Sequence, residues 1–202
     1  MFTYEYPRPM LTVDVLFFSL ETDPASVLLI KRKNEPFKDM WAIPGGFVDM
    51  DEEIEAAARR EMQEETGLEI GELIQTSWHT KPGRDPRGRT ITAVFVSLNE
   101  KNLHANAGDD AADSGWFKLS QLPQLAFDHH DIIRINREKI PELIIKDGLF
   151  YNYFEQDLNN KNFEKIFRIF DWYSNNESKN IVVPIPSSCK LYLEWLEKKQ
   201  VT

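Results

Sequence analysis

The chain has 202 residues, 42% of them hydrophobic and 28% charged, which suffices for one ordinary globular core plus an appendage. Its net charge of −9 argues against nonspecific attraction to nucleic acid or to an anionic membrane surface. The single cysteine, Cys189, excludes an internal disulfide and leaves a cysteine-based zinc site unsupported, and no apolar stretch is long enough to span a bilayer.

The opening residues MFTYEYPRP lack the basic start and long apolar run of a signal peptide, so a cytoplasmic location is expected. Residues 11–20, LTVDVLFFSL, are rich in β-branched and aromatic side chains between Pro9 and the turn at Asp23-Pro24, and predict a strand. Residues 27–32, VLLIKR, predict a second strand that closes a hairpin with the first. Lys31, Arg32 and Lys33 then form a basic cluster, read as a solvated strand end. The paired Gly45 and Gly46 follow Trp41-Ala42-Ile43-Pro44, and let the backbone turn sharply and expose a carbonyl or amide to a ligand.

Residues 46–68, GFVDMDEEIEAAARREMQEETGL, contain a helix. Asp49 or Asp51 can cap its start, Glu52, Glu53 and Glu55 suit the positive end of its dipole, and Gly67 supplies a stop. Glu61, Glu64 and Glu65 stand at i, i+3 and i+4 and share a face, opposite an apolar stripe of Ile54, Ala57, Ala58 and Met62. Residues 45–69 hold nine acidic side chains against Arg59 and Arg60, a local net charge of −7. Carboxylates this close repel one another unless a cation sits among them, and Mg²⁺ or Mn²⁺ is the natural occupant. On their own they describe a solvated acidic face more readily than a metal site.

Residues 70–78 and 90–98 predict two more strands, joined by HTKPGRDPRGRT, a loop broken by proline and glycine. Its Arg84, Arg87 and Arg89 can pair bidentately with phosphate oxygens. A flexible acidic loop with Asp109, Asp110 and Asp113 precedes a short strand at 115–117. Asp128 is placed to cap a helix over 131–146, with Pro141 as a kink, and the adjacent His129 and His130 read as surface residues near that cap. Beyond it, Phe163, Ile166, Phe167, Phe170 and Tyr173 mark an amphipathic helix over 162–174, and Ser187 or Ser188 can cap a last helix reaching 199. The expected division is a first domain at 1–147 and a helical extension at 148–202. Too short to be a stable domain alone, the extension is expected to pack on the first domain or on a second subunit, a homodimer contact being preferred.

Gly46, Glu52, Arg60, Glu61, Met62, Glu64, Glu65, Gly67 and Leu68 match without departure the Nudix box, G-x5-E-x7-R-E-U-x-E-E-x-G-U with U aliphatic, so the chain resembles the Nudix hydrolases. The run R-D-P-R-G-R before a β-rich stretch is similar to the loop of the ADP-ribose pyrophosphatase branch and of related ADP-ribose-type Nudix regulators. The resemblance implies an α/β/α sandwich with a mixed sheet, and metal-assisted attack of water on the pyrophosphate of a nucleoside diphosphate compound. ADP-ribose, cleaved to AMP and ribose 5-phosphate, is the first candidate. It also implies Glu61 and Glu65 as principal metal ligands, Glu64 on a second ion or orienting water, and a ligating carbonyl at Gly45 or Gly46. Arg60 would hold the glutamates by salt bridging, with Glu52 as its partner, and Arg84, Arg87 and Arg89 would hold substrate. The general base stays open between Glu53 or Glu64 on the helix and Asp109, Asp110 or Asp113 in the loop. Tyr4, Tyr6 and Trp41 can stack on a base but read first as core or interface. The alternative is a ligand-sensing regulator with a DNA-binding tail; the tail's seven basic and seven acidic residues cancel, and a pure sensor needs no complete box.

Overall fold

The computed structural model describes residues 5–19, 21, 25–99, 102–105 and 111–137. The expectations for Tyr4, Asp109, Asp110, Pro141 and the extension at 148–202 lie outside the described residues. Among the described residues seven strands run β1 (Met10–Ser19), β2 (Ser26–Arg32), β3 (Trp41–Ala42), β4 (Gly45–Phe47), β5 (Ile74–His79), β6 (Thr90–Asn99) and β7 (Ala111–Lys118). Helix α1 (Ile54–Thr66) lies between β4 and β5, and α2 (His129–Arg137) follows β7.

The sheet is mixed, in the order β3-β2-β1-β6-β5, with β4 added beside β1 and β7 beside β2. β1 and β6 pair in parallel from Met10–Thr90 to Ser19–Asn99, and the other pairings are antiparallel. The expected hairpin is present but brief. β1 and β2 pair only at Phe18–Val27 and Ser19–Ser26; farther along, β1 pairs with β4 and β2 with β3. Residues 41–47 therefore serve both strands, and they deliver Gly45 and Gly46 beside the centre of the sheet.

Strand periodicity divides the core into two layers. Val13, Val15 and Phe17 of β1 pack with Ala57, Ala58 and Met62 of α1, while Leu16 and Phe18 pack with Ile132 and Ile133 of α2. β6 alternates in the same way, Ala93 and Phe95 against Val94 and Val96. Each large side chain buried here contributes about 1.5–3 kcal/mol. The result is the α/β/α sandwich expected, with α1 anchored on one face by the apolar stripe read from the sequence. Among the described residues no helix is long and apolar enough to cross a membrane.

Several boundaries differ from expectation for identifiable reasons. α1 begins at Ile54 with Glu53 at its N-cap and no capping side chain, so neither Asp49 nor Asp51 plays that part. Residues 49–52 instead close a turn, Glu52 N–H donating to the Asp49 carbonyl at 3.3 Å. Gly67 ends the helix in the left-handed region at φ 69°, as the sequence suggested. β5 starts only at Ile74, because Arg59 Nη1 takes the carbonyls of Ile70 and Gly71 at 2.8 and 2.7 Å and holds that segment to α1. β7 is longer than expected, since β2 offers it a full ladder from Ser26 to Arg32.

Candidate active site

A cavity of about 340 Å³ opens where β1, β4, α1 and the 80–89 loop meet, and it is lined in part by Asp14, Gly45, Gly46, Glu61, Glu65, Arg84, Arg87 and His129. That volume lies within the range typical of small-molecule sites. Glu65 is buried, and its Oε2 accepts the Gly45 N–H at 2.9 Å. Glu61 lies so close over Gly46 that a Cβ there would overlap its carboxylate. Helical spacing puts both glutamates on one face of α1, and the pairing of β4 with β1 brings the two glycines to them.

Arg60 ties this cluster together. It donates through Nε and Nη2 to the two oxygens of Glu52, each at 2.9 Å, through Nη1 to Glu61 at 2.8 Å and Glu64 at 3.1 Å, and to the Phe47 carbonyl at 3.0 Å. Its hydrogen bonds hold the Glu52 carboxyl below its ordinary range. Burial pushes Glu61 the other way, and with help from the neighbouring charges of Glu64 and Glu52 it prevails over the pull of Arg60.

The predicted glutamates thus separate. Glu61 and Glu65 share the cavity, whereas Glu64 is exposed, bonded to Arg60 and absent from the lining. Glu53 is an exposed N-cap residue, and Glu52 is engaged with Arg60, as the resemblance implied. Among the described residues no three His, Cys, Asp or Glu side chains form a ready metal cluster. Two carboxylates beside glycine backbone still suit Mg²⁺, which keeps several waters and is completed by substrate phosphates. A carboxylate raised by burial, packed against an α-carbon where no side chain fits, supplies the oxygen donors such an ion needs.

The loop arginines also divide. Arg84 is nearly buried and donates to both oxygens of Asp128, Nε at 3.0 Å and Nη2 at 2.7 Å. Arg87 donates to Asp85 through Nε and Nη2, the latter at 2.7 Å, and lies over the rings of Phe47 at 4.7 Å and Phe127 at 5.4 Å. Both therefore have the Nε–Nη2 edge clamped by a carboxylate, and among the described residues neither Nη1 donates to protein. Burial alone would raise Asp85, but the hydrogen bonds and charge of Arg87 bring it below its ordinary value. Arg89 does not join them: it is exposed, donates to the Thr80 carbonyl and lies off the cavity. Asp113 is likewise elsewhere, on the ladder opposite Lys31, with its carboxylate taken by Ser114 N–H at 2.8 Å.

Other contributors went unread in the sequence. Asp128 does not cap α2 with its side chain, because its carboxylate is committed to Arg84; only its carbonyl serves, accepting from Ile132 N–H at 3.1 Å. His129 is buried rather than superficial, and its Nδ1 accepts the Ile43 N–H at 2.9 Å. His130 alone fits the surface reading. Arg32 reaches the cavity too, stacked over Phe127 at 4.9 Å, and Phe127 holds a left-handed φ of 52° that a bulky side chain adopts only when its surroundings enforce it. Of the stacking candidates, Trp41 packs edge-on against Phe117 at 4.6 Å, and Tyr6 is exposed away from the cavity.

Two outcomes follow from these pairings. Asp128→Asn removes the charge opposite a nearly buried guanidinium and should cost about 1–3 kcal/mol in a denaturant titration. Burial holds the His129 pKa below its ordinary 6.5 against the opposing charges of Asp14 and Asp128. The unfolded chain therefore binds this proton more readily. The contribution of His129 is complete above about pH 6.5 and is lost as pH falls toward the folded value. The urea midpoint should drop between pH 7.5 and 5.5, and the part due to this ring should vanish in His129→Asn.

The comparisons with known proteins agree with this geometry. The family model for the NUDIX domain matches residues 8–135. An ADP-ribose pyrophosphatase of Methanocaldococcus jannaschii is 45% identical over 131 residues, covering 64% of this chain and 73% of that protein. An ADPR responsive transcriptional repressor of Acinetobacter baylyi is 37% identical over 134 residues; 64% of this chain is covered, but only 54% of the repressor. Among solved structures, the NUDIX domain of Shewanella oneidensis NrtR complexed with ADP ribose superposes with a TM-score of 0.62 at 31% identity, over 67% of this chain and 90% of that one. With the box intact, its two cavity glutamates against the paired glycines, and a family match spanning more than half its length, the chain belongs to the Nudix family.

Proposed function

We propose that the chain is a metal-dependent pyrophosphohydrolase that cleaves ADP-ribose to AMP and ribose 5-phosphate. The observation that carries this reading is the sharing of one cavity by the carboxylates of Glu61 and Glu65 and the clamped guanidiniums of Arg84 and Arg87. Two anions cannot receive a pyrophosphate without a cation between, and two fixed arginines can bind one. The likeness to the archaeal pyrophosphatase and to an ADP-ribose-bound domain supports the choice of substrate.

Bound Mg²⁺ or Mn²⁺ would neutralise charge on the pyrophosphate and make the attacking water more acidic. Glu61 and Glu65 would hold that ion, with backbone at Gly45 or Gly46. Arg60 keeps Glu61 in place through one hydrogen bond while Glu52 fixes the other edge of its guanidinium. The Nη1 groups of Arg84 and Arg87 would donate to phosphate oxygens, and the carboxylates that clamp their other edges would resist reorientation. The base that takes the proton from water would be a carboxylate, Glu53 or Glu64 on the helix or Asp109 or Asp110 of the loop.

The test is a panel of nucleoside diphosphate compounds and nucleoside triphosphates with Mg²⁺ and product identification. ADP-ribose should give AMP and ribose 5-phosphate with the highest kcat/KM. Turnover of another compound with ADP-ribose inert would remove the specificity and keep the enzyme class. A sensor role, to which the repressor likeness points, predicts ADP-ribose binding without turnover and salt-dependent binding of duplex DNA.

A further inference from the structure

The floor of the cavity holds polar groups that the proposed chemistry does not use. Asp14 is a buried acid within the apolar strand β1, and its Oδ2 accepts the hydroxyl of the fully buried Thr92 at 2.8 Å. Its Oδ1 stands 3.6 Å from Nε2 of His129, too far for a hydrogen bond. Because the Nδ1 of His129 accepts the Ile43 N–H, a neutral ring must carry its proton on Nε2. An acceptor and a donor therefore lie side by side without bonding each other. Neither atom is a sealed, unsatisfied polar atom, and both residues line the cavity, so both can be reached from it.

The chemistry of the pair narrows its occupant. An anion would meet the carboxylate of Asp14, and a cation would meet the imidazole N–H and Arg84, whose Nη2 is 3.7 Å from Asp14. A neutral O–H group satisfies both, donating to Asp14 and accepting from His129. A single oxygen can lie about 2.8 Å from each of two atoms at this separation. Asp14 is in register with Gly45, whose N–H holds Glu65, so this spot adjoins the proposed metal carboxylates. A pentose attached to the pyrophosphate carries hydroxyls within a few bonds of that position.

The geometry points to a hydroxyl-reading subsite in which Asp14 and His129 together bind one pentose hydroxyl of the substrate, making them specificity-determining residues. The assignment rests on the reading of the chain as a nucleotide-sugar hydrolase. A site built to bond a hydroxyl on both sides rejects an analogue lacking it, because two buried polar groups are then left unpaired.

The experiment compares kcat/KM for ADP-ribose and for analogues lacking a single hydroxyl on either pentose, in the wild type, His129→Asn and Asp14→Asn. Asparagine at 129 can still accept from Ile43 N–H but does not reach the Nε2 position, and asparagine at 14 keeps the shape and the Thr92 contact. One analogue should be about 10³-fold poorer than ADP-ribose in the wild type. That ratio should shrink at least tenfold in each variant. If the variants lowered both substrates equally, leaving the ratio unmoved, the residues would be structural and the inference overturned. If every analogue matched ADP-ribose while both variants lost kcat, the bound O–H would be water, which also overturns it. A wild type inert toward ADP-ribose and all the analogues would instead bring down the functional reading, and this inference with it.

Discussion

Replacing Glu65 by glutamine is expected to lower kcat/KM for ADP-ribose about 10³-fold, or ~4 kcal/mol of transition-state stabilisation, while the fold persists. The amide oxygen can still accept the Gly45 N–H that Glu65 Oε2 accepts at 2.9 Å, so the packing of α1 against β4 keeps its hydrogen bond. What disappears is one of the two charges proposed to hold the metal, and with it the affinity for a divalent ion. Raising Mg²⁺ should recover part of the loss, because the defect lies in metal binding. An unchanged thermal midpoint with depressed, Mg²⁺-responsive turnover is the expected pattern. Unchanged turnover would remove this helix as the metal site.

Gly45 and Gly46 should fail in opposite ways. A Cβ on Gly45 would overlap the Val13 carbonyl oxygen and stand 2.9 Å from the Asp14 α-carbon. Both are backbone atoms of the central strand, so neither can swing away. Gly45→Ala should therefore cost more than about 4 kcal/mol, reading out as a large fall in Tm or as insoluble protein. The nearest atoms to a Cβ on Gly46 all belong to the carboxylate of Glu61, the far end of a movable side chain. Gly46→Ala should fold with a Tm near wild type and lose about 10²-fold in kcat, because Glu61 is displaced from the place it holds. Circular-dichroism melts alongside steady-state kinetics separate the two. Equal stability losses would contradict the placement of Glu61 over Gly46.

The parts of the site legible in the sequence are those carried by one periodic element. The i, i+4 spacing of Glu61 and Glu65, the apolar stripe beneath them and the Gly67 stop are local properties of a helix, and the structure keeps them all. Helical spacing aligned Glu64 with its neighbours, and the expected salt bridge to Arg60 is present, but spacing alone did not show that Glu64 would lie off the cavity lining. The loop arginines were equal in composition but unequal in fact. Arg84 and Arg87 find Asp128 and Asp85, while Arg89 turns to a carbonyl, a difference set by the loop's backbone path.

The pairing of Asp14 with His129 is long-range, joining β1 to the start of α2, and no window of sequence contains it. Its one visible trace was an acid inside LTVDVLFFSL, a position where a charge is costly unless it has work to do. Asp113 moved from the expected acidic loop onto a strand because pairing with β2, rather than local propensity, set the length of β7.

Metal-dependent cleavage at Glu61 and Glu65 is read out by AMP release from ADP-ribose by the full chain across a Mg²⁺ titration ending in excess chelator. AMP and ribose 5-phosphate should appear in equal amounts, at a rate that saturates with Mg²⁺ and falls to background on chelation. ADP-ribose left intact at saturating Mg²⁺, or cleaved equally fast in chelator, would contradict the account.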